Sequence, residues 1–153
     1  MSQLYFAFGS NMSLVTLRDR GVDANPAGSA FLRDHRLAFT LPSERWTGRA
    51  ADILPAPGVG VWGVLWEMDD PDALDPFELR YNRSEVEVSQ FPTGREGLSR
   101  RAFTYSVKPE HRATDEASPA PEYLQRMIDG AIDARLPADY TDFLRNCGSA
   151  EPV

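Results

Sequence analysis

Val59-Gly60-Val61-Trp62-Gly63-Val64-Leu65-Trp66-Glu67-Met68 is the most strand-like stretch of the chain. Its β-branched and aromatic side chains suit a pleated, buried surface, and Gly60 and Gly63 mark a bulge or a close backbone approach of the kind barrel strands need. Trp62 and Trp66 share one strand face, which reads as core first and cavity wall second. Immediately downstream, Asp70 before Pro71 is an N-cap followed by a proline at the first helical position, so a short helical turn starts there and ends near Glu78. Upstream, the proline- and glycine-rich stretch from Pro42 to Gly60 reads as loops flanking one short strand around Ala50 to Leu54.

Further out, Gln3 to Phe8 is a short apolar run stopped by Gly9-Ser10-Asn11, a buried strand ending in a tight turn. A helix follows, capped by Asn11 or Ser13, striped by Leu14 and Leu17 and stopped at Gly21. Ala27 to Leu41 is either two short strands or one bent one. Ser84 to Phe91 alternates Val86 and Val88 with Glu85 and Glu87, and Arg101 to Val107 repeats the alternation after a turn, which predicts a hairpin. Leu124, Met127, Ile128, Ala131 and Ile132 recur at helical spacing within Pro121 to Arg135, and Pro137 opens another helix through Leu144. Strands dominate the first two-thirds and helices the end, without an internal repeat, so the pattern is α+β: a curved mixed sheet packed by segregated helices.

At 153 residues with 42% hydrophobic and 25% charged side chains, the chain has the balance of a folded single domain, expected over residues 1–148 with 149–153 as a tail. Cys147 is the only cysteine, so no intramolecular disulfide exists and a reducing compartment is the simpler reading. His35 and His111 lack the paired spacing of zinc ligands, and no metal is expected. Sixteen basic against twenty-three acidic residues, net −7, argue against nucleic acid and anionic membrane partners. No basic leader and no run of roughly eighteen apolar residues is present, which points to the cytoplasm.

Three constellations carry chemistry. Ser10 lies at a strand-to-helix turn, but Asn11-Met12 after it breaks the Gly-x-Ser-x-Gly pattern of an activated serine. The backbone N–H groups of the same turn form a cradle for an anion or oxyanion. Glu78 follows apolar Leu74 and Phe77; half buried, its pKa would rise toward that of a general base that later acts as an acid. The plainer reading makes it one more member of the solvated cluster Asp69, Asp70, Asp72 and Asp75. That surface acidity would tolerate a cationic ligand. Arg49, Arg80 and Arg101 are candidates to pair a carboxylate, and Cys147 reads as an apolar filler.

Tyr5-Phe6-Ala7-Phe8-Gly9-Ser10-Asn11-Met12, Trp46-x-Gly48, Val61-Trp62-Gly63-Val64, Leu74-Asp75-x-x-Glu78 and Ser118-Pro119-x-Pro121-x-Tyr123, in this order, resemble the γ-glutamylcyclotransferase-like family. The resemblance implies a small mixed β-barrel with helices packed on the outside. It also implies a cavity in which the loop Phe8, Gly9, Ser10 and Asn11 binds the γ-glutamyl part of a small-molecule substrate, with Tyr105 and Tyr123 lining it and Glu78 as acid/base. The family usually has tyrosine where this chain has Phe8, so one hydroxyl is missing from the binding loop. The implied reaction is attack by the substrate's α-amine on its own γ-carbonyl, releasing 5-oxoproline and a free amine. It needs no metal and no cofactor. A non-catalytic module binding a small acidic metabolite and a hydrolase built on Ser10 are the competing readings. The stretch from Pro42 to Gly60 is the expected lid or rim, and apolar strand edges leave a homodimer open.

Overall fold

The strand containing Val59–Met68 begins ten residues earlier than the sequence indicates. In this computed structural model, which describes residues 2–43, 48–91 and 97–148, β3 spans Arg49–Met68 without interruption. Its prolines are accommodated at a break in the ladder. Between the pairs Arg33↔Gly60 and His35↔Pro55, β2 (Asn25–Pro42) advances two residues while β3 advances five. Pro55 borders this bulge and Pro57 lies inside it, where a missing N–H forfeits no ladder bond. Asp34, at φ 59, closes the bulge by accepting a bond from the Gly58 N–H at 3.0 Å. Thus, of the stretch expected to be loops around one short strand, residues 49–60 belong to one arm of a long hairpin, and Ala27 to Leu41 belongs to a single bent strand.

β1 (Gln3–Ala7) pairs antiparallel with β3 and parallel with β5 (Leu98–Val107). β4 (Tyr81–Phe91) pairs with β2 and β5, closing a mixed barrel in the order β1-β3-β2-β4-β5. Closure demands close approach: a Cβ on Gly63 would lie 2.5 Å from the Ala7 carbonyl oxygen and 2.7 Å from the Phe6 ring. Phe6, Val61, Leu65, Met68, Val88 and Val107 are fully buried. Trp66 is buried with them, whereas Trp62 is half-buried between Phe31 and Phe91, with ring centroids 5.0 and 5.1 Å away.

Helices pack outside. α1 (Leu14–Asp19) follows a 3₁₀ turn at Ser10–Met12, and Gly21 at φ 70 stops it. A second 3₁₀ turn, Pro71–Phe77, has Asp70 as its cap, the carboxylate accepting from the Asp72 N–H. α2 (Pro121–Asp133) buries Leu124, Met127, Ile128 and Ala131 as expected, but Ile132 is 53% exposed. α3 (Ala138–Gly148) runs past Leu144. Among the described residues no helix is long and apolar enough to cross a membrane. Trp46, the 149–153 tail and much of the β4–β5 turn lie outside the described residues.

One buried charge braces the frame beneath the site. Asp52 is fully buried, and its carboxylate accepts from Thr40 Oγ1, the backbone N–H groups of Ile53 and Val107, and Arg112 Nε, at 2.8 to 2.9 Å. Four donors, one charged, meet the cost of withdrawing it from water.

Candidate active site

β1 delivers the chain into the turn at Phe8. There Met12 N–H donates to the Gly9 carbonyl at 3.0 Å and Ser13 N–H to that of Ser10 at 3.1 Å, and no side chain caps the turn. β3 clamps it from below, since the Trp66 indole N–H donates to the Asn11 carbonyl at 2.9 Å. α2 closes the other side with Tyr123. A Cβ on Gly9 would stand 2.6 Å from the Tyr123 hydroxyl oxygen, so any side chain here must push that hydroxyl aside. That hydroxyl accepts from the Ala51 N–H at 3.0 Å and also meets the Ser10 backbone and side chain.

Glu78 ends the Pro71–Phe77 turn, its N–H bonded to the Asp75 carbonyl at 3.1 Å. Its side chain is only 10% exposed, unlike the surface acidic residues Asp69, Asp70, Asp72 and Asp75. Asn11 Nδ2 donates to Glu78 Oε1 at 3.1 Å and to the Tyr5 hydroxyl at 3.0 Å. Arg20 Nη1 donates to Asn11 Oδ1 at 3.0 Å and to the same Glu78 oxygen at 3.3 Å. Burial raises the Glu78 pKa from 4.5 to about 7, with the charge of Arg20 and the bonds from Asn11 and Arg20 opposing the rise. Burial likewise raises Tyr5, Tyr81, Tyr105 and Tyr123, so the surrounding phenols stay protonated near neutrality.

These groups enclose a cavity of about 300 Å³. Phe8, Gly9, Ser10, Asn11, Glu78, Tyr105 and Tyr123 all line it, so the residues singled out in the sequence converge. Phe8 is buried and contributes ring surface without a hydroxyl. Tyr105 donates to Asp75 at 2.9 Å and packs edge-on against Tyr5. The wall also contains Leu41, Ser43, Ala50 and Ala51, so part of the Pro42 to Gly60 stretch forms its rim.

Sequence reasoning missed Arg20, Tyr5 and Tyr81, which also line the cavity. Tyr81 opens β4 three residues before the Ser84 start expected from the alternation, and its hydroxyl donates to the Ala51 carbonyl at 2.7 Å. Arg20 has no local signal. Of the arginines considered, Arg80 lines the cavity and donates to the Pro42 carbonyl, Arg49 pairs with Asp115, and Arg101 pairs with Glu85 on an exposed strand. Among the described residues, Glu78 is the one carboxylate lining the cavity, beside Arg20 and Arg80. Neither His35 nor His111 lines the cavity with Ser10, so no Ser-His pair forms there. Cys147 is half-buried, its thiol pKa raised by burial, as suits a filler.

The AIG2-like family model matches residues 60–144. A γ-glutamylcyclotransferase of Bos taurus is 31% identical, the match covering 99% of this chain and 80% of that protein. The γ-glutamylcyclotransferase of Mus musculus is 32% identical over 93% of this chain and 77% of its own. Among solved structures, a γ-glutamyl cyclotransferase superposes with a TM-score of 0.86 at 30% identity, covering 100% of this chain and 90% of the other. YkqA from Bacillus subtilis superposes at 0.82 with 28% identity, over 99% of this chain and 55% of that one.

Proposed function

The chain belongs to the AIG2-like, γ-glutamylcyclotransferase family of enzymes, and from that premise we propose that it cyclises a γ-glutamyl amide, releasing 5-oxoproline and a free amine or amino acid with Glu78 as general acid/base. The observation that carries the reading is the buried carboxylate of Glu78, with a pKa of about 7, in the wall of a cavity edged by the Gly9–Asn11 turn. A group that titrates near neutrality both takes and returns a proton at little cost.

The nucleophile belongs to the substrate. Its α-ammonium gives one proton to Glu78, the freed lone pair forms the N–C bond to the γ-carbonyl carbon, and a tetrahedral oxyanion results. Collapse breaks the bond to the leaving nitrogen, which takes the proton from Glu78. The ring nitrogen sheds two protons in all and the leaving nitrogen gains two, so the carboxylate shuttles twice and ends ionised as it began. Holding the substrate curled is the larger task, since well-oriented intramolecular attack lowers barriers by roughly 7–11 kcal/mol. With the Ser10 N–H engaged by the Tyr123 hydroxyl, the backbone N–H groups of Gly9 and Asn11 receive the α-carboxylate or the oxyanion. With Arg20 and Arg80 in the wall, a neutral or anionic leaving half suits the cavity better than a cationic one.

The test is 5-oxoproline release from a panel of γ-glutamyl amino acids, γ-glutamyl amines and glutathione, with wild type and Glu78→Gln in parallel. Release by wild type that falls by about 10²–10⁴-fold in the folded variant is the expected result. A panel on which wild type is inactive refutes the reaction, and a Glu78→Gln enzyme of near wild-type turnover refutes the role of the carboxylate.

A further inference from the structure

Arg20 is a cation that the cyclisation does not itself call for, yet it lines the cavity and touches the carboxylate on which the reaction turns. It sits where α1 ends, its N–H bonded to the carbonyls of Thr16 and Leu17, and Gly21 then turns the chain away. From there the guanidinium lies 5.2 Å over the Phe77 ring, next to Glu78 in the chain. Its side chain is 14% exposed, and Nε is buried without a partner among the described residues. An arginine whose role was only to pack would place that donor on a carbonyl or in water. Here the head group forgoes it while Nη1 reaches two acceptors, Asn11 Oδ1 and Glu78 Oε1.

Both bonds have consequences. Because Arg20 donates to the Asn11 amide oxygen, the amide nitrogen is turned toward Glu78 and Tyr5, which it serves with its two hydrogens. Glu78 Oε1 therefore accepts from Asn11 and Arg20 together, while Oε2 has no partner among the described residues. Resting on the cyclisation proposed above, we infer that Arg20 is a positioning residue: it locks Asn11 and one oxygen of Glu78, leaving the other oxygen to exchange protons with the substrate.

Charge matters as well as geometry. Facing Glu78 are Tyr5 on β1, Asn11 on the turn, Tyr81 on β4, Tyr105 on β5 and Tyr123 on α2, all neutral near pH 7, while Arg80, elsewhere in the cavity wall, donates to the Pro42 carbonyl. Arg20 is the cation in direct contact, and its positive charge favours the ionised carboxylate against burial.

The experiment is a set of kcat and KM profiles against pH for wild type, Arg20→Lys and Arg20→Gln, using the panel member from which wild type releases 5-oxoproline fastest. In Arg20→Gln the acidic limb of kcat is expected to move up by about one pH unit, with activity lost at pH 6.5 and largely recovered near pH 9. Arg20→Lys, which keeps the charge but contacts at one point, should hold the limb within half a unit of wild type. Recovery at high pH separates this role from a loss of fold. Should Arg20→Gln fail to fold, Arg20→Met, whose stem retains packing on Phe77, carries the same expectation. An unmoved limb in the neutral variant overturns the inference, as does a KM raised at every pH with kcat unchanged, which would make Arg20 a substrate ligand instead. A wild type that releases no 5-oxoproline would take down the proposed reaction and this inference with it, whereas active wild type with an unshifted Arg20→Gln profile sinks the inference alone.

Discussion

Glu78 concentrates the tension of the site in one side chain. Its neighbour Phe77 is 44% exposed and Leu79 is 72% exposed, while the carboxylate between them turns inward among phenols and meets Asn11 and Arg20. The raised pKa has two measurable consequences. The proposed reaction turns over from the ionised form, so it predicts that kcat/KM falls about tenfold per unit below a pH near 7, and a limb near the ordinary carboxylate range would show that Glu78 is not the titrating base. Stability runs the other way. Between the ordinary value of 4.5 and about 7 the folded chain holds the Glu78 proton that the unfolded chain releases. The resulting stabilisation is complete below the lower value and is lost as pH rises through the higher one. From pH 5 to 8 wild type should lose about 2–3 kcal/mol relative to Glu78→Gln, which does not titrate. Denaturant melts at the two pH values check this, and parallel changes in both proteins would contradict it.

At the scale of elements, the Ser10–Met12 turn at the cavity edge is made by its neighbours more than by its own sequence. No side chain caps Ser10–Met12; instead Trp66 from β3 holds its carbonyl and Tyr123 from α2 fills the space above Gly9. Gly9→Ala would drive a methyl group against the Tyr123 hydroxyl and is expected to cost about 1–3 kcal/mol while displacing the turn N–H groups. Deleting that hydroxyl in Tyr123→Phe should recover part of the loss in the double variant. Thermal melts of the single and double variants measure the coupling, and strictly additive losses would show that the contact is not the cause. The β2–β3 hairpin has the same dependence on context. Pro55 and Pro57 speak locally for a loop, yet a bulge closed by Asp34 lets β3 continue through them to Ala50 and Ala51 on the cavity wall.

Across the whole molecule, Asp52 joins β2, β3, β5 and the Arg112 segment, and the adjacent Ala51 carries both the Tyr81 and Tyr123 hydroxyls. Asp52→Ala leaves Arg112 and two backbone N–H groups without their acceptor, so a loss of about 3–5 kcal/mol is expected. The damage should reach the cavity as well, seen as weakened 5-oxoproline binding by calorimetry; unchanged melting would show that water replaces the carboxylate. Much of this architecture was legible in one dimension, because period-two alternation in Val86 and Val88, helical spacing in Leu124 to Ala131 and the Asp70-Pro71 cap are local patterns written by burial on a single element. The turn at Gly9–Asn11 and the carboxylate at Glu78 were legible too, since both belong to short contiguous motifs. Arg20, Tyr5 and Tyr81 were not, because each is ordinary in its own surroundings and becomes part of a site only when β1, the end of α1 and β4 close around Glu78. The sequence by itself determined the α+β element order and the chemical groups on offer, through side-chain periodicity and turn chemistry. Only the tertiary structure decided which arginine meets the acid and how far that acid's pKa moves, because desolvation and charge pairing depend on distances between residues remote in the chain.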